Sequence, residues 1–218
     1  MPKIVDVEEK KTLIAEAACR VIVARGVANT RMVDIAAEAD VTTGMLVNYF
    51  DTKDDIILAA LRLSFRNIDA KIAERAEDRV TTDLCDILEP AIPATEDDRA
   101  DIAVWINFWG MLSANPELQK LNRKLHAEGM ETYERAIRSA WPECADWSDD
   151  VFSTVRFSIV SCLFGLSAAG IVNPSIWPKK LLRDQLRLHL DLIRKWAQKE
   201  MRSITERADA GLKTWRQD

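Results

Sequence analysis

Apolar residues recur at three- and four-residue intervals along most of this chain, and no clear strand-like alternation of apolar and polar residues competes with them. Side chains three and four positions apart share a helix face, so this period predicts helices and an all-α fold. The first face carries Leu13, Ile14, Ala17, Ala18, Val21 and Ile22, and Gly26 is a natural C-terminal stop. With 218 residues, 48% of them hydrophobic, the chain has ample material for a packed core, and disorder is excluded on composition.

The spacing predicts short helices over 32–39 and 43–49 and a longer one over 53–79. The stretch 89–98, with Pro90, Pro93 and an acidic cluster, is expected to be a loop. Residues 102–112 are almost entirely apolar, which predicts a helix buried on most sides. Asn115 and Pro116 close it and open a helix reaching Trp141. After a loop at 142–148, two more helices are expected over 149–171 and 179–200. A separate amphipathic helix is expected from Met201 to Trp215.

Composition narrows function before any motif is considered. A net charge of −5 argues against a generic nucleic-acid coat or a membrane-surface binder, both of which need a positive field. Only His126 and His189 are available for histidine chemistry, and both lie on helices of mixed polarity. Cys19, Cys85, Cys144 and Cys162 are widely spread, without the spacing of a zinc site or a disulfide framework. No metal site, catalytic set or cofactor is expected. The N-terminal residues lack an apolar run, and the uncharged apolar stretch 157–172, closed by Asn173 and Pro174, falls short of the ~20 residues a bilayer needs. The expectation is a cytoplasmic protein with no membrane partner.

Residues 30–53, TRMVDIAAEADVTTGMLVNYFDTK, concentrate the information. Two short helices fit here around a tight turn at Asp40 and Val41. Ala36 permits close helix approach, Val41 and Leu46 supply apolar plugs, and Thr42 is placed to cap the second helix. That helix exposes Thr43, Asn48 and Tyr49 and carries no charge between Thr42 and Phe50, a surface suited to phosphates and base edges. Lys53 opens the next helix, where a cation is disfavoured by the helix dipole unless a phosphate joins it. An ordinary helical hairpin is the plain alternative. Residues 1–53 carry seven Lys/Arg and eight Asp/Glu, so any DNA binding here depends on placed contacts rather than bulk attraction.

This segment resembles the DNA-binding domain of the TetR family of bacterial regulators. The resemblance rests on DIAAEADVTTGMLVNYFDTKDDI, with Tyr49, Phe50 and Lys53 as its signature, and extends to the helix order. It implies a three-helix, helix-turn-helix domain over 1–52 and a helical bundle for ligand binding and dimerisation over 53–218. Thr42 and Tyr49 would bond phosphates. Thr43, Gly44 and Asn48 would approach base edges, Met45 or Val47 would touch thymine methyls, and Arg31 would reach a guanine or a phosphate. Asp40 stands where the family usually has Gly, and Val47 where it often has Tyr. The implied partners are a double-stranded palindromic operator and a second copy of the chain, joined through the helices near 149–171 and 179–200. The small residues Gly165, Ala168, Ala169 and Gly170 and the stripe Leu182, Leu186, Ile193 and Trp196 are the expected dimer surface.

The segment 104–109 holds Trp105, Asn107, Phe108 and Trp109. Trp105 and Trp109 are i, i+4 neighbours that can wall a cavity for a small apolar or aromatic ligand, or for a quaternary ammonium held by cation–π attraction. Tyr133, Phe157 and Phe164 lie on helices placed to close it. The polar amide of Asn107 must find a partner, and a ligand or water would serve. The stretch AVWINFWGMLSANPELQKL resembles the BetI-like, choline-responsive branch of the family. The reading is therefore a ligand-responsive transcription regulator, most readily a repressor, and not an enzyme. An all-α small-molecule carrier or enzyme that merely contains a helical hairpin is the alternative.

Overall fold

The computed structural model describes residues 4–78, 82–112 and 116–214. Among them there is no strand, and nine α-helices follow one another: α1 (Ile4–Arg25), α2 (Met32–Glu38), α3 (Thr43–Leu46), α4 (Lys53–Glu77), α5 (Leu84–Leu88), α6 (Glu96–Leu112), α7 (Pro116–Ala140), α8 (Asp149–Val172) and α9 (Lys179–Thr214). The chain divides into two compact units, Met1–Lys71 with Pro90–Gly129, and Ile72–Glu89 with Met130–Asp218. Asn115 and Trp215 lie outside the described residues.

In the first unit, α1 buries Ile14, Ala17, Ala18, Val21 and Ile22, whereas Leu13 of the expected face is exposed. α1 packs against α2 and against α6, whose Ile102, Val104 and Phe108 are buried. α4 adds Ile56, Ile57, Ala60 and Leu61 to this core. Its start is fixed by reciprocal bonds. The Thr52 N–H and hydroxyl donate to Asp55 Oδ2 at 2.9 and 2.7 Å, and the Asp55 N–H donates to Thr52 Oγ1 at 3.2 Å. This is the capping box with Asp in place of Glu.

Of the expected loop 89–98, only 92–95 lacks helical structure. Glu89–Ala91 forms a single 3-10 turn after α5, and 90–94 are buried. The acidic cluster opens α6 six residues earlier than the apolar run suggests. Thr95 and Asp98 repeat the capping arrangement, the hydroxyl donating to Asp98 Oδ2 at 2.7 Å and the Asp98 N–H to Thr95 Oγ1 at 3.1 Å. Acidic residues suit a first turn, where free N–H groups point at them.

In the second unit, α8 lays Val155, Ile159, Val160 and Leu163 against α9, whose Leu182, Leu186, Leu190 and Ala197 are buried. α8 is 24 residues long and apolar enough to cross a membrane by length and composition, yet its core face is taken by α9. α5 is clamped to α9 by ion pairs. Buried Glu89 accepts from Arg183 Nη1 at 2.9 Å and Arg75 Nη1 at 3.3 Å, with Lys179 at 3.8 Å, while Arg183 also bonds Asp86 and Arg187 reaches Asp83 at 2.9 Å. Instead of ending at 200, α9 runs unbroken to Thr214, since nothing between 196 and 205 supplies a Gly or Pro stop.

Candidate nucleic-acid interface

The turn between α2 and α3 is built from local chemistry. α2 ends with Asp40 at φ 53°, the one non-glycine residue with positive φ among those described. The Val41 N–H donates to the Ala36 carbonyl at 3.0 Å and the Asp40 N–H to the Ala37 carbonyl at 3.3 Å. These are the two bonds of a Schellman ending, with Asp40 in the left-handed position that glycine usually fills. Thr42 then caps α3, its Oγ1 accepting the Met45 N–H at 3.2 Å.

α3 is shorter than the 43–49 expected. Beyond Leu46 the backbone tightens, the Asn48 N–H reaching Met45 and the Tyr49 N–H reaching Leu46, three residues back. Fully buried Leu46 and buried Phe50 pin this segment to the core, so Thr43, Gly44, Met45, Val47 and Asn48 face outward together. Tyr49 is half-buried. Gly44 has a particular place: a Cβ added there would come no nearer than 3.8 Å to Thr42 Oγ1, so the fold does not require its missing side chain.

Arg31 occupies the N-cap position of α2 and is exposed, but it is engaged. Its Nε and Nη2 donate to the two oxygens of Asp34 at 2.9 and 3.1 Å, and Arg25 Nη1 shares Asp34 Oδ1 at 3.0 Å. The hydrogen bond from Arg31 holds the Asp34 carboxyl below its ordinary pKa. Arg31 therefore reaches DNA only by leaving or sharing a carboxylate. Arg20 is likewise tied to Glu38 at 2.5 Å. Lys53 is half-buried at the first position of α4, with no ion pair among the described residues. Arg20, Arg25 and Arg31 are thus neutralised locally, and the outward face of α3 carries no charge.

The expected ligand residues fall in both units. Trp105, Asn107, Phe108 and Trp109 belong to the first. Trp105 is buried and meets Phe65 edge-on at 5.8 Å and Trp109 at 4.5 Å, so the two indoles touch each other and form one aromatic wall instead of two facing ones. Phe65, on α4, carried no signal beyond its helical period. Phe108 is fully buried core. Trp109 is 37% exposed. The amide of Asn107 finds its partner at home: Nδ2 donates to the Ala103 carbonyl at 2.8 Å. Its Oδ1 lies 3.5 Å from where a Cβ on Gly26 would stand, at the end of α1. In the second unit Tyr133 and Phe164 are half-buried. Phe157 is 51% exposed beneath Arg156 at 5.6 Å, on the face of α8 turned away from Val155 and Ile159, and so does not line an enclosed cavity of this chain.

The expected dimer stripe also needs correction. Leu182 and Leu186 are fully buried within the chain against α8, and Gly170 is buried too. Among the described residues, the large apolar side chains left exposed on these helices are Phe157 and Val172 on α8 and Leu188, Leu192 and Trp196 on α9. None of the cysteines is primed for reaction. Burial pushes Cys19 and Cys162 up to about 11, and Cys85 and Cys144 are also raised.

An all-helical chain with a capped helix-turn-helix near one end and long helices after it defines a class of helical DNA-reading regulator. Residues 14–60 match the family described as bacterial regulatory proteins, tetR family, and residues 80–195, more than half of the chain, match the BetI-type transcriptional repressor C-terminal family. The chain belongs to the TetR family of bacterial regulatory proteins, with a BetI-type C-terminal region. The family is one of transcriptional regulators and not of enzymes, and its members bind DNA operators and dimerise. Among similar proteins, the HTH-type transcriptional regulator PksA of Bacillus subtilis (strain 168) is 33% identical over 114 residues, 50% of this chain and 54% of that protein. The HTH-type transcriptional regulator BetI of Burkholderia mallei (strain NCTC 10229) is 27% identical over 126 residues, 56% of this chain and 65% of that protein. These matches thus span 54% to 65% of the length of these curated relatives. In fold, the chain resembles a transcriptional regulator from Rhodococcus sp. Rha1 (19% identity, TM-score 0.71, covering 86% of this chain and 97% of that one). It also resembles a transcriptional-regulator structure from Saccharomonospora viridis, solved in complex with choline (24% identity, TM-score 0.63, covering 84% and 94%).

Proposed function

We propose that this chain is a cytoplasmic, ligand-responsive transcriptional repressor that grips a palindromic operator as a homodimer. The observation that carries the reading is the outward face of α3, uncharged, capped by Thr42 and pinned by Leu46 and Phe50, in a chain of this family. In this reading residues 1–52 read DNA and 53–218 bind ligand and dimerise. Thr43, Gly44 and Asn48 meet base edges, Met45 or Val47 meets thymine methyls, and Thr42, Tyr49, Lys53 and Arg31 hold phosphates or, for Arg31, a guanine. The dimer forms through the exposed apolar face of α8 and α9, at Phe157, Leu188, Leu192 and Trp196, and sets two readers about one helical turn of DNA apart.

The ligand proposed is a quaternary ammonium or a small aromatic compound, met by Trp105, Trp109 and their neighbours Asn107 and Phe108. Support comes from the BetI-type match over 80–195, from the choline in the Saccharomonospora structure, and from the edge-on indole pair, whose faces suit a cation. Selection from a random DNA pool tests the DNA reading. It should enrich a palindrome with two half-sites, and recovery of no preferred sequence would leave the small-molecule carrier as the better reading. Thermal unfolding with choline, betaine aldehyde and neutral aromatics tests the ligand; choline or betaine aldehyde should raise the midpoint.

A further inference from the structure

A groove of about 570 Å³ lies within the first unit between α1, α4 and α7, apart from both the α3 face and the tryptophan wall. Its floor is apolar, formed by buried Phe50 and Leu125 together with half-buried Leu63. Its rim is charged, and most of that charge is already spoken for. Lys11 pairs with Glu8 at 3.5 Å, Lys124 with Glu128 at 3.7 Å, and the Asp55 carboxylate accepts both donors of Thr52. Arg62 and Arg66 remain. They lie one turn apart on α4, both exposed at the groove, and neither has an ion pair or hydrogen bond among the described residues.

Two guanidiniums at i, i+4 over an apolar trough form a forked set of donors beside a surface that favours hydrocarbon. The three rim carboxylates limit how much negative charge the groove tolerates, which favours a singly charged head over a phosphate dianion. We propose that this groove binds a small amphipathic carboxylate, with its head on Arg62 and Arg66 and its chain along Phe50, Leu63 and Leu125. The ligand class is opposite in charge to the quaternary ammonium proposed for the tryptophan wall, so the chain carries sites for two unlike effectors.

The test uses the full chain, without DNA, in calorimetric titrations with octanoate and with octanol, which share a chain but not a charge. Octanoate should bind the wild type about tenfold more tightly than octanol, and the R62Q/R66Q variant should lose that advantage. Both arginines are exposed, so the variant should melt as the wild type does; were it to melt early, R66Q alone supplies the same comparison. Absence of octanoate binding to the wild type, or equal octanoate affinity in wild type and variant, would overturn the proposal. Neither result bears on the DNA reading.

Discussion

Asp40 shows how one residue can be placed correctly and still be second best. A left-handed backbone costs an L-residue of ordinary type about 1–2 kcal/mol, and Asp less than most. Replacing Asp40 by Gly should therefore raise stability by about 0.5–1 kcal/mol in urea unfolding, without moving the turn. Glu143 carries a different consequence. Its hydrogen bond from Arg194 at 2.6 Å holds its pKa below the ordinary value, so it contributes stability at pH above the unfolded value of 4.5, and that contribution is lost as pH falls through the lower folded pKa. Asp101 acts with the opposite sign. Burial raises its pKa despite help from Asn67 and Lys71, so its contribution is present below 3.8 and fades as pH rises through the folded value. Melting curves between about pH 3 and 6 should show E143Q flattening the acid limb, and D101N steepening it.

At the scale of elements, the helices legible in the sequence were those with a long apolar stripe: α1, α4, α7, α8 and the first half of α9. The HTH segment was also legible, because its turn, cap and plugs are local chemistry that the chain carries in consecutive residues. α5 was not, since five residues are too few to show a period, and what holds it is the distant pairing of Glu89 with Arg183. The opening of α6 was hidden for a related reason: Pro93 and a run of acids read as a loop until Thr95 is seen to cap them. The arrangement around the expected ligand residues was least legible. Helical spacing put Trp105 and Trp109 on one side of α6, but only packing shows the rings in contact and the Asn107 amide satisfied by its own helix. Glu89→Ala removes the buried carboxylate that Arg183 and Arg75 share, leaving both with Asp86 alone among the described residues, and should cost about 2 kcal/mol in denaturant unfolding.

For the whole molecule, a two-half-site operator needs two readers, and therefore two chains. A side chain such as Trp196, 42% exposed on a helix whose opposite face is fully buried, is costly to leave in water and is well placed to anchor a partner. L192E/W196E should sediment as a monomer and lose operator affinity, while retaining the helical signal of the wild type, because neither side chain supports the chain's own core. Whether the outward face of α3 meets DNA is decided by G44A. The added methyl would make only an ordinary contact, 3.8 Å from Thr42 Oγ1, and alanine favours helix by up to about 1 kcal/mol, so G44A should melt at or above the wild-type temperature. On a selected operator, fluorescence anisotropy should nonetheless show binding weakened at least about tenfold, since that methyl stands where base edges approach. An operator affinity unchanged in a stably folded G44A protein would show that this face of α3 does not meet DNA.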